Sequence, residues 1–294
     1  MNQDQLVACH HRALAAAGRL RLPFRSRVWR GAAGEFGGAG AGSSLDFQDH
    51  RTYVPGDDPR HINWQAYART GSYTMKLYRE EVRPTVDVIM DTSESMFFDP
   101  GKATRSAELL YLATESSRAA GAAVAVHLIR GSAMRTLPLG EVFSHRWLET
   151  ARALASSEAG SIPDLSRTPL RPNALRVWIS DLLYEADPEP LLRVLAARHG
   201  IPLLFAPFAR CESDPDWNGN LEMIDAENGN RHAHRIDPPV LKRYKEAYVR
   251  HFAVWKSTSL RHRAIFARVS AEPDLATALY AEAVPSGALE SSLG

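Results

Sequence analysis

From Val86 onwards, short apolar runs alternate with longer amphipathic segments. The apolar runs have the length of β-strands and are rich in valine, isoleucine and leucine. Strands are predicted over residues 86–90 (VDVIM), 122–130 (AAVAVHLIR), 134–139, 177–180, 201–208 (IPLLFAPF) and 265–269. Fully apolar strands of this kind are typical of a parallel sheet that is covered by helices on both faces.

The segments between these runs have helical spacing. Residues 103–120 place Ala107, Leu110 and Ala113 near one face, and Gly121 ends the pattern. Further helices are predicted through residues 147–154, 191–199, 241–256 and 271–283, and a hairpin around Asn228-Gly229 or Gly229-Asn230. The alternation predicts an α/β fold with a central, mostly parallel sheet flanked by helices.

The first 84 residues lack this alternation. The glycine-rich stretch GEFGGAGAGSS, residues 34–44, follows an arginine-rich segment instead of a buried strand, so it is predicted to be a flexible loop and not a dinucleotide-binding loop. Residues 73–81 are predicted to form a strand. We therefore expect an appended segment over residues 1–84, an α/β domain over 85–285 and a flexible tail over 286–294.

Composition removes several classes of protein. Charged residues make up 23% of the 294 residues, and 35 Lys and Arg nearly balance 34 Asp and Glu, which excludes disordered, fibrous and histone-like chains. Two cysteines, Cys9 and Cys211, cannot build a disulfide framework or a cysteine-based zinc site. Since neither a run of about 18 apolar residues nor a secretory leader is found, we expect a cytoplasmic protein.

The N-terminal stretch is locally basic. No acidic residue occurs between Asp4 and Glu35. The arginines in this stretch are Arg12, Arg19, Arg21, Arg25, Arg27 and Arg30. A solvated face is the favoured interpretation, and contact with phosphates or with an acidic partner is the alternative.

The most informative motif is Asp91-Thr-Ser-Glu-Ser95, which follows the strand VDVIM directly. Loops at the carboxyl ends of such strands face the crevice in which α/β folds bind ligands. Asp91, Ser93 and Ser95 alternate along the chain and offer one carboxylate and two hydroxyls on one side of a tight loop. Oxygen donors suit Mg²⁺. A site with so few acids leaves the ion able to accept a carboxylate from a partner.

A second acidic group comes from Ser180-Asp181, at the end of the strand VWIS. The carboxyl ends of parallel strands meet at one edge of a sheet, so Asp181 is expected to approach the same crevice. A purely structural role is the alternative, in which Asp91, Ser93 and Ser95 cap the helix near residue 103 and Asp181 caps the helix after it.

Two family resemblances rest on these motifs. DTSES followed by a strand that ends in Ser-Asp resembles the metal-ion-dependent adhesion site of von Willebrand factor A domains. The segment RTYVPGDDPRHINWQAYARTGSYTMKLYREE resembles the signature of the bacterial domain of unknown function 58 family. The matching signature residues are Arg51, Tyr53, Pro55, Gly56, Asp57, Asp58, Arg60, Ile62, Trp64, Ala68 and Arg69.

The resemblance implies a von Willebrand factor A-like fold with Mg²⁺ at the carboxyl edge of the sheet. In this sequence it assigns Asp91, Ser93 and Ser95 to the metal, and Asp181 as the distal acid acting through water. The family pattern also requires a threonine from an intervening loop, where this chain offers Ser161 or, as an alternative, Thr168.

Two functions follow as expectations. The preferred one is a non-catalytic interaction module that binds a partner's carboxylate through Mg²⁺. The resemblance further implies co-operation with a MoxR-type AAA+ ATPase on a client protein. The alternative is a metal-dependent phosphohydrolase or nuclease that uses Asp91 and Asp181, although two-metal chemistry needs more convergent carboxylates than the sequence offers. Within the signature, Asp57, Asp58 and Arg60 are expected to fix a turn.

Overall fold

The computed structural model describes residues 1–24, 33–154, 162–227 and 229–292. Contacts divide the chain into two compact units. The larger unit combines residues 1–23 with residues 85–294, and the smaller unit spans residues 24–84. The first 23 residues therefore group with the α/β sheet, although the smaller unit separates the two in sequence.

The secondary structure alternates strands and helices along most of the chain. The strands are β1 Leu20–Arg21, β2 Ala33–Thr52, β3 Thr74–Val82, β4 Thr85–Asp91, β5 Ala123–Arg130, β6 Ala133–Leu137, β7 Leu175–Ile179, β8 Ile201–Phe208, β9 Gly219–Ile224, β10 Arg231–Ile236, β11 Ile265–Ser270 and β12 Glu290–Ser291. The helices are α1 Gln3–Ala17, α2 Trp64–Thr70, α3 Pro100–Ala119, α4 Leu139–Phe143, α5 Trp147–Ala153, α6 Pro188–Ala196, α7 Arg210–Ser213, α8 Pro238–Arg261 and α9 Leu275–Ala278.

A six-stranded sheet forms the centre of the larger unit. Its strand order is β11-β8-β7-β4-β5-β6, and only β6 runs antiparallel to its neighbour. Strand β4 lies inside this sheet, and its residues 86–91 are buried. The predicted α/β class with a mostly parallel sheet flanked by helices is confirmed, and the arrangement is consistent with a von Willebrand factor A-like fold.

Successive side chains of a strand point to opposite faces of the sheet. Each face of this sheet therefore packs against its own helices. Ile89 of β4 belongs to an apolar cluster with Trp178 of β7 and with Trp255 of α8, and this cluster also includes residues of α6. Helix α3 contacts β4, β5, β7 and β8, and most of its residues are buried. Helix α3 is thus part of the core.

Helix α1 was not predicted from the sequence, and polar contacts join it to α3. His10 Nε2 lies 2.8 Å from Glu115 Oε1, and Arg12 Nε donates to Glu108 Oε1 at 2.5 Å. Arg12 of the basic N-terminal stretch therefore pairs with an acid of the same unit. Residues 25–30, which contain the remaining arginines of that stretch after Arg21, lie outside the described residues.

The smaller unit pairs β2 with β3 in an antiparallel ladder. The glycine-rich residues 34–44 lie within β2, so the prediction of a flexible loop there is wrong. The ladder shifts register between Gly37 and Ala41 and again between Ala41 and Asp46. Glycine tolerates the backbone angles that such irregularities require, which allows an irregular strand where composition alone suggested a loop.

The acids of the signature hold a turn in this smaller unit. Arg51 donates to Asp57 Oδ1 at 2.6 Å, and the amide of Val54 donates to Asp57 Oδ2 at 2.9 Å. Asp58 accepts from the backbone amide and from the guanidinium of Arg60. These bonds define the path of the chain into α2.

No helix in the described part of the chain is long and apolar enough to cross a membrane. Cys9 is buried and Cys211 is exposed, and both carry free thiols. No disulfide joins these two cysteines, and the fold contains buried polar pairs such as that between Asp87 of β4 and Arg171.

Arg171→Met tests that pair. Asp87 of β4 is fully buried and accepts from Arg171 Nε at 2.6 Å and from the Arg171 amide at 2.8 Å. Losing the guanidinium leaves a buried carboxylate without its cation, so we expect the free energy of unfolding to fall by about 3–5 kcal/mol in urea titrations. Arg193→Met, which removes an exposed pair with Glu189, should cost less than about 1 kcal/mol. Equal losses in the two variants would contradict the assignment.

Candidate metal centre

The candidate site lies where β4 and β7 end side by side. The two strands are parallel neighbours, with Met90 opposite Ile179, so Asp91 and the following Ser180 leave the sheet at the same edge. Ser180 Oγ donates to Asp91 Oδ2 at 2.7 Å. Strand pairing therefore fixes both residues before any ligand binds.

The loop after β4 presents two hydroxyls. The backbone amide of Ser93 donates to Asp91 Oδ1 at 2.9 Å, and the hydroxyls of Ser93 and Ser95 lie 3.1 Å apart. Thr92 anchors the loop, because its amide and hydroxyl both donate to the Ile129 carbonyl, at 2.7 and 3.0 Å. A short 3₁₀ turn, Glu94–Met96, ends the loop.

Asp181 has a buried cation beside it. Lys102, at the start of α3, is fully buried and donates to Asp181 Oδ2 at 2.7 Å and to Glu212 Oε1 at 2.5 Å. Burial alone would lower the pKa of Lys102, but the two carboxylates outweigh it and raise that pKa, so the ammonium stays charged. The other oxygen of Asp181, Oδ1, accepts from the Leu183 amide at 3.1 Å. Neither oxygen of Asp181 is therefore free of hydrogen bonds.

Backbone strain marks the segment after Asp181. Leu182 is buried and has a φ of 59°, in the left-handed region that residues with side chains seldom occupy. His251 Nε2 donates to the Leu182 carbonyl at 2.7 Å and so supports this conformation from α8. Strained residues of this kind cluster at functional sites.

These groups surround one cleft with a volume of about 460 Å³. Its lining includes Asp91, Ser93, Ser95 and Asp181, so four of the residues predicted as ligands are brought together. The remaining lining residues are Ile162, Pro163, Leu183, Tyr184, Glu185, Asp225, Ala226 and Glu227. The cleft combines carboxylates and hydroxyls at the carboxyl edge of the sheet.

The two candidates for the loop ligand have different positions. Ser161 lies outside the described residues, while the next two residues, Ile162 and Pro163, line the cleft. Thr168 is buried, follows a 3₁₀ turn and is not among the described residues that line the cleft. Among the described residues, the Thr168 hydroxyl has no hydrogen-bond partner.

The electrostatics of Asp91 fit a bound cation. Burial, and next the negative charge of Asp181, raise the pKa of Asp91 to about 6. Lys102 offsets the charge of Asp181, whereas the donors to Asp91 in the described part of the chain are neutral ones, from Ser180 and Ser93. A divalent ion would relieve this repulsion, and carboxylate and hydroxyl oxygens are the donors that hard cations prefer.

Five of the described residues that line the cleft carry carboxylates, yet these do not form one metal-binding group. In the described ranges, no three His, Cys, Asp or Glu side chains are grouped closely enough to hold a metal by themselves. Hydroxyl groups and water would have to complete the coordination shell.

Sequence reasoning missed three charged residues at the site. Lys102 compensates the charges of Asp181 and Glu212, and Glu227 contacts the DTSES loop from the β9–β10 hairpin. None of them belongs to a motif, since they lie 79 to 132 residues from their partners along the chain. Only a prediction of tertiary contacts would have identified them.

The signature residues belong to the smaller unit. They are Arg51, Tyr53, Gly56, Asp57, Asp58, Arg60, Trp64 and Arg69. Trp64 is 57% exposed, and its ring meets those of Tyr67 and Tyr73 edge to face. The signature thus combines a polar turn with an exposed aromatic group.

Comparison with known proteins gives one family and a few distant relatives. A family model described as "Protein of unknown function DUF58" matches residues 49–254. The uncharacterized proteins Mb1516 of Mycobacterium bovis and Rv1480 of Mycobacterium tuberculosis are each 27% identical to this chain over 220 residues, which cover 70% of this chain and 68% of theirs. No solved structure matches the chain.

Lys102→Met tests the charge compensation. The substitution leaves Asp181 and Glu212 buried without a cation, so we expect the free energy of unfolding at pH 8 to fall by about 3–5 kcal/mol. The loss should be smaller at pH 5, because protonation of the carboxylates removes the uncompensated charge. Urea titrations at both pH values measure this, with the exposed Lys242→Met as control. A loss that is the same at both pH values would contradict the assignment.

Asp91→Asn tests the raised pKa of Asp91 in EDTA. Because the folded-state pKa lies above the usual 3.8, the charged carboxylate opposes folding above pH 6, and this penalty disappears below about pH 4. We expect Asp91→Asn to raise the free energy of unfolding by about 2 kcal/mol at pH 7.5 and to change it little at pH 4. Glu185→Gln, an exposed residue of the same cleft, serves as control. A stability gain at pH 4 as large as that at pH 7.5 would refute the explanation.

Proposed function

The chain belongs to the DUF58 family of proteins of unknown function, and we propose from the chemistry of the cleft that it is a non-catalytic interaction module. It binds a carboxylate of a protein partner through Mg²⁺. The observation that carries this proposal is the buried Asp91, which pairs with no cation among the described residues and shares the cleft with the hydroxyls of Ser93 and Ser95.

Asp91, Ser93 and Ser95 would hold the ion directly. Asp181 would act through water, because Lys102 and the Leu183 amide already bond to its oxygens. A loop hydroxyl, from Ser161 or Thr168, would complete the protein ligands. The bound ion would supply a Lewis acid that accepts a carboxylate oxygen. This arrangement is similar to the metal-ion-dependent adhesion site of von Willebrand factor A domains.

The same resemblance extends the proposal to partners. The module acts with a MoxR-type AAA+ ATPase in assembling or activating a client protein in the cytoplasm. One of these proteins presents an acidic side chain to the cleft. The signature turn, residues 51–69, and its exposed Trp64 offer a second surface for such a complex.

A metal-dependent phosphohydrolase or nuclease has less support. Two-metal chemistry uses several convergent carboxylates. In the part of the chain that the structure describes, no metal-binding cluster of three His, Cys, Asp or Glu is present. Lys102 also engages Asp181, the residue that would have to serve a second ion.

Calorimetric titration with Mg²⁺ tests the metal site. We expect one site, and a loss of affinity of at least about tenfold in Asp91→Ala, Ser93→Ala and Ser95→Ala. Glu94→Gln is the matched control, because Glu94 lies in the same loop but pairs with Arg130 and does not line the cleft. The control should bind Mg²⁺ like the wild type. An unchanged affinity in Asp91→Ala would exclude this residue as a ligand.

The second arm of this test concerns the partner. The purified chain is mixed with a candidate MoxR-type ATPase or client in Mg²⁺ or in EDTA, and complex formation is followed by light scattering. We expect EDTA and Asp91→Ala to abolish the complex and Glu94→Gln to preserve it. A complex that is insensitive to both EDTA and Asp91→Ala would rule out a metal bridge.

A further inference from the structure

The strands of the hairpin formed by β9 and β10 are largely exposed, and its tip contacts the DTSES loop. Of the strand residues 219–224 and 231–236, only Ile236 is buried. The connecting segment reaches the candidate metal centre, where Asp225, Ala226 and Glu227 form part of the cleft lining. An exposed arm of this kind has few apolar contacts to hold it in place.

Glu227 makes the contact between this tip and the DTSES loop. The amide of Ser95 donates to Glu227 Oε1 at 2.8 Å, and the amide of Glu94 donates to Oε2 at 3.3 Å. Each carboxylate oxygen therefore accepts one backbone N–H from the loop that carries two of the proposed metal ligands. The acceptor of these two loop amides is thus Glu227, which lies 132 positions from Ser95 in the sequence.

The loop has no acceptor of its own for these amides. The 3₁₀ turn Glu94–Met96 begins after Ser93, whose side chain makes no capping hydrogen bond. The first amides of a helical turn have no partner within the turn and need an external acceptor. Glu227 supplies that acceptor, and any carboxylate that replaced it would satisfy the same two donors.

The chemistry of the contact also defines what can replace Glu227. Two adjacent N–H donors bind an acceptor with two oxygens, so a carboxylate fits and a lysine or arginine side chain does not. The ion proposed for the same cleft has the same preference for oxygen donors. An aspartate or glutamate of a protein partner and Glu227 would therefore compete for one position.

We propose that Glu227 is an internal ligand of the cleft, and that an acidic side chain of a protein partner must displace it, together with the β9–β10 hairpin, in order to bind. The inference rests on the proposed function, since it names the group that blocks the partner's carboxylate in the free protein. The affinity for a partner is then lowered by the fraction of molecules in which the hairpin is closed.

The experiment compares the wild-type chain with Glu227→Gln and Glu227→Ala. Glu222→Gln is the matched control, because Glu222 lies in the same hairpin, pairs with Arg231 at 3.1 Å and does not line the cleft. Hydrogen exchange followed by mass spectrometry reports on the Ser95 amide and on the hairpin. Fluorescence anisotropy reports binding of a labelled Gly-Gly-Glu-Gly-Gly peptide in Mg²⁺, with a Gly-Gly-Gln-Gly-Gly peptide for comparison.

We expect the Glu227 variants to exchange faster at Ser95 and in the hairpin and to bind the Glu peptide about tenfold more tightly, as for a hairpin closed in about 90% of molecules. Glu222→Gln should match the wild type in both measurements, and the Gln peptide should bind to none of the proteins. Unchanged exchange in both Glu227 variants would overturn the inference, whatever the peptide does.

The remaining outcomes separate this inference from the proposed function. If the Glu peptide binds equally well to the wild type and to both Glu227 variants, Glu227 does not compete and the inference is overturned, while the carboxylate receptor stands. If the peptide binds to none of the proteins although the hairpin is released, the carboxylate receptor is overturned and the displacement proposed here falls with it.

Discussion

The arrangement of this protein's cleft depends on how a cluster of buried charges is compensated. Asp91, Asp181 and Glu212 are all buried around the carboxyl edge of the sheet, and Lys102 is the cation that bonds to two of them. Unpaired buried carboxylates would be costly, and Lys102, at the start of α3, reduces that cost for Asp181 and Glu212. Among the described residues Asp91 has no such partner, and its burial, together with the charge of Asp181, raises its pKa to about 6.

Asp91 and Asp181, which lie at the carboxyl ends of β4 and β7, therefore differ in their chemistry. Asp181 is fixed by hydrogen bonds to both of its oxygens, and Lys102, which makes one of these bonds, offsets its charge. Asp91 accepts only neutral donors and shares the cleft with Ser93 and Ser95. A cation in the cleft would balance Asp91 and remain electrophilic, because the serine hydroxyls add no charge. The same loop also offers its backbone amides to Glu227, so the free chain already places a carboxylate beside the proposed site.

The sequence was informative wherever local pattern controls structure. The apolar run IPLLFAPF predicted β8 with its observed bounds, and VDVIM placed Asp91 at the end of a buried strand. The carboxyl ends of parallel strands lie at one edge of a sheet, so the positions of DTSES and Ser-Asp after two strands predicted that Asp91 and Asp181 lie close together. In the structure both residues line one cleft. Local pattern was not enough for the glycine-rich part of β2, since composition carries no information about a pairing strand.

The sequence by itself therefore determined the strand and helix alternation of residues 85–285 and the side of the sheet on which the candidate ligands lie. Only the tertiary structure decided that α1 packs on α3, that Lys102 compensates Asp181 and Glu212, and that Glu227 reaches the DTSES loop. The physical reason is the sequence separation over which each interaction acts. Apolar periodicity acts between residues a few positions apart, whereas Coulomb and hydrogen-bond partners are chosen by distance in space, here between residues 79 to 132 positions apart.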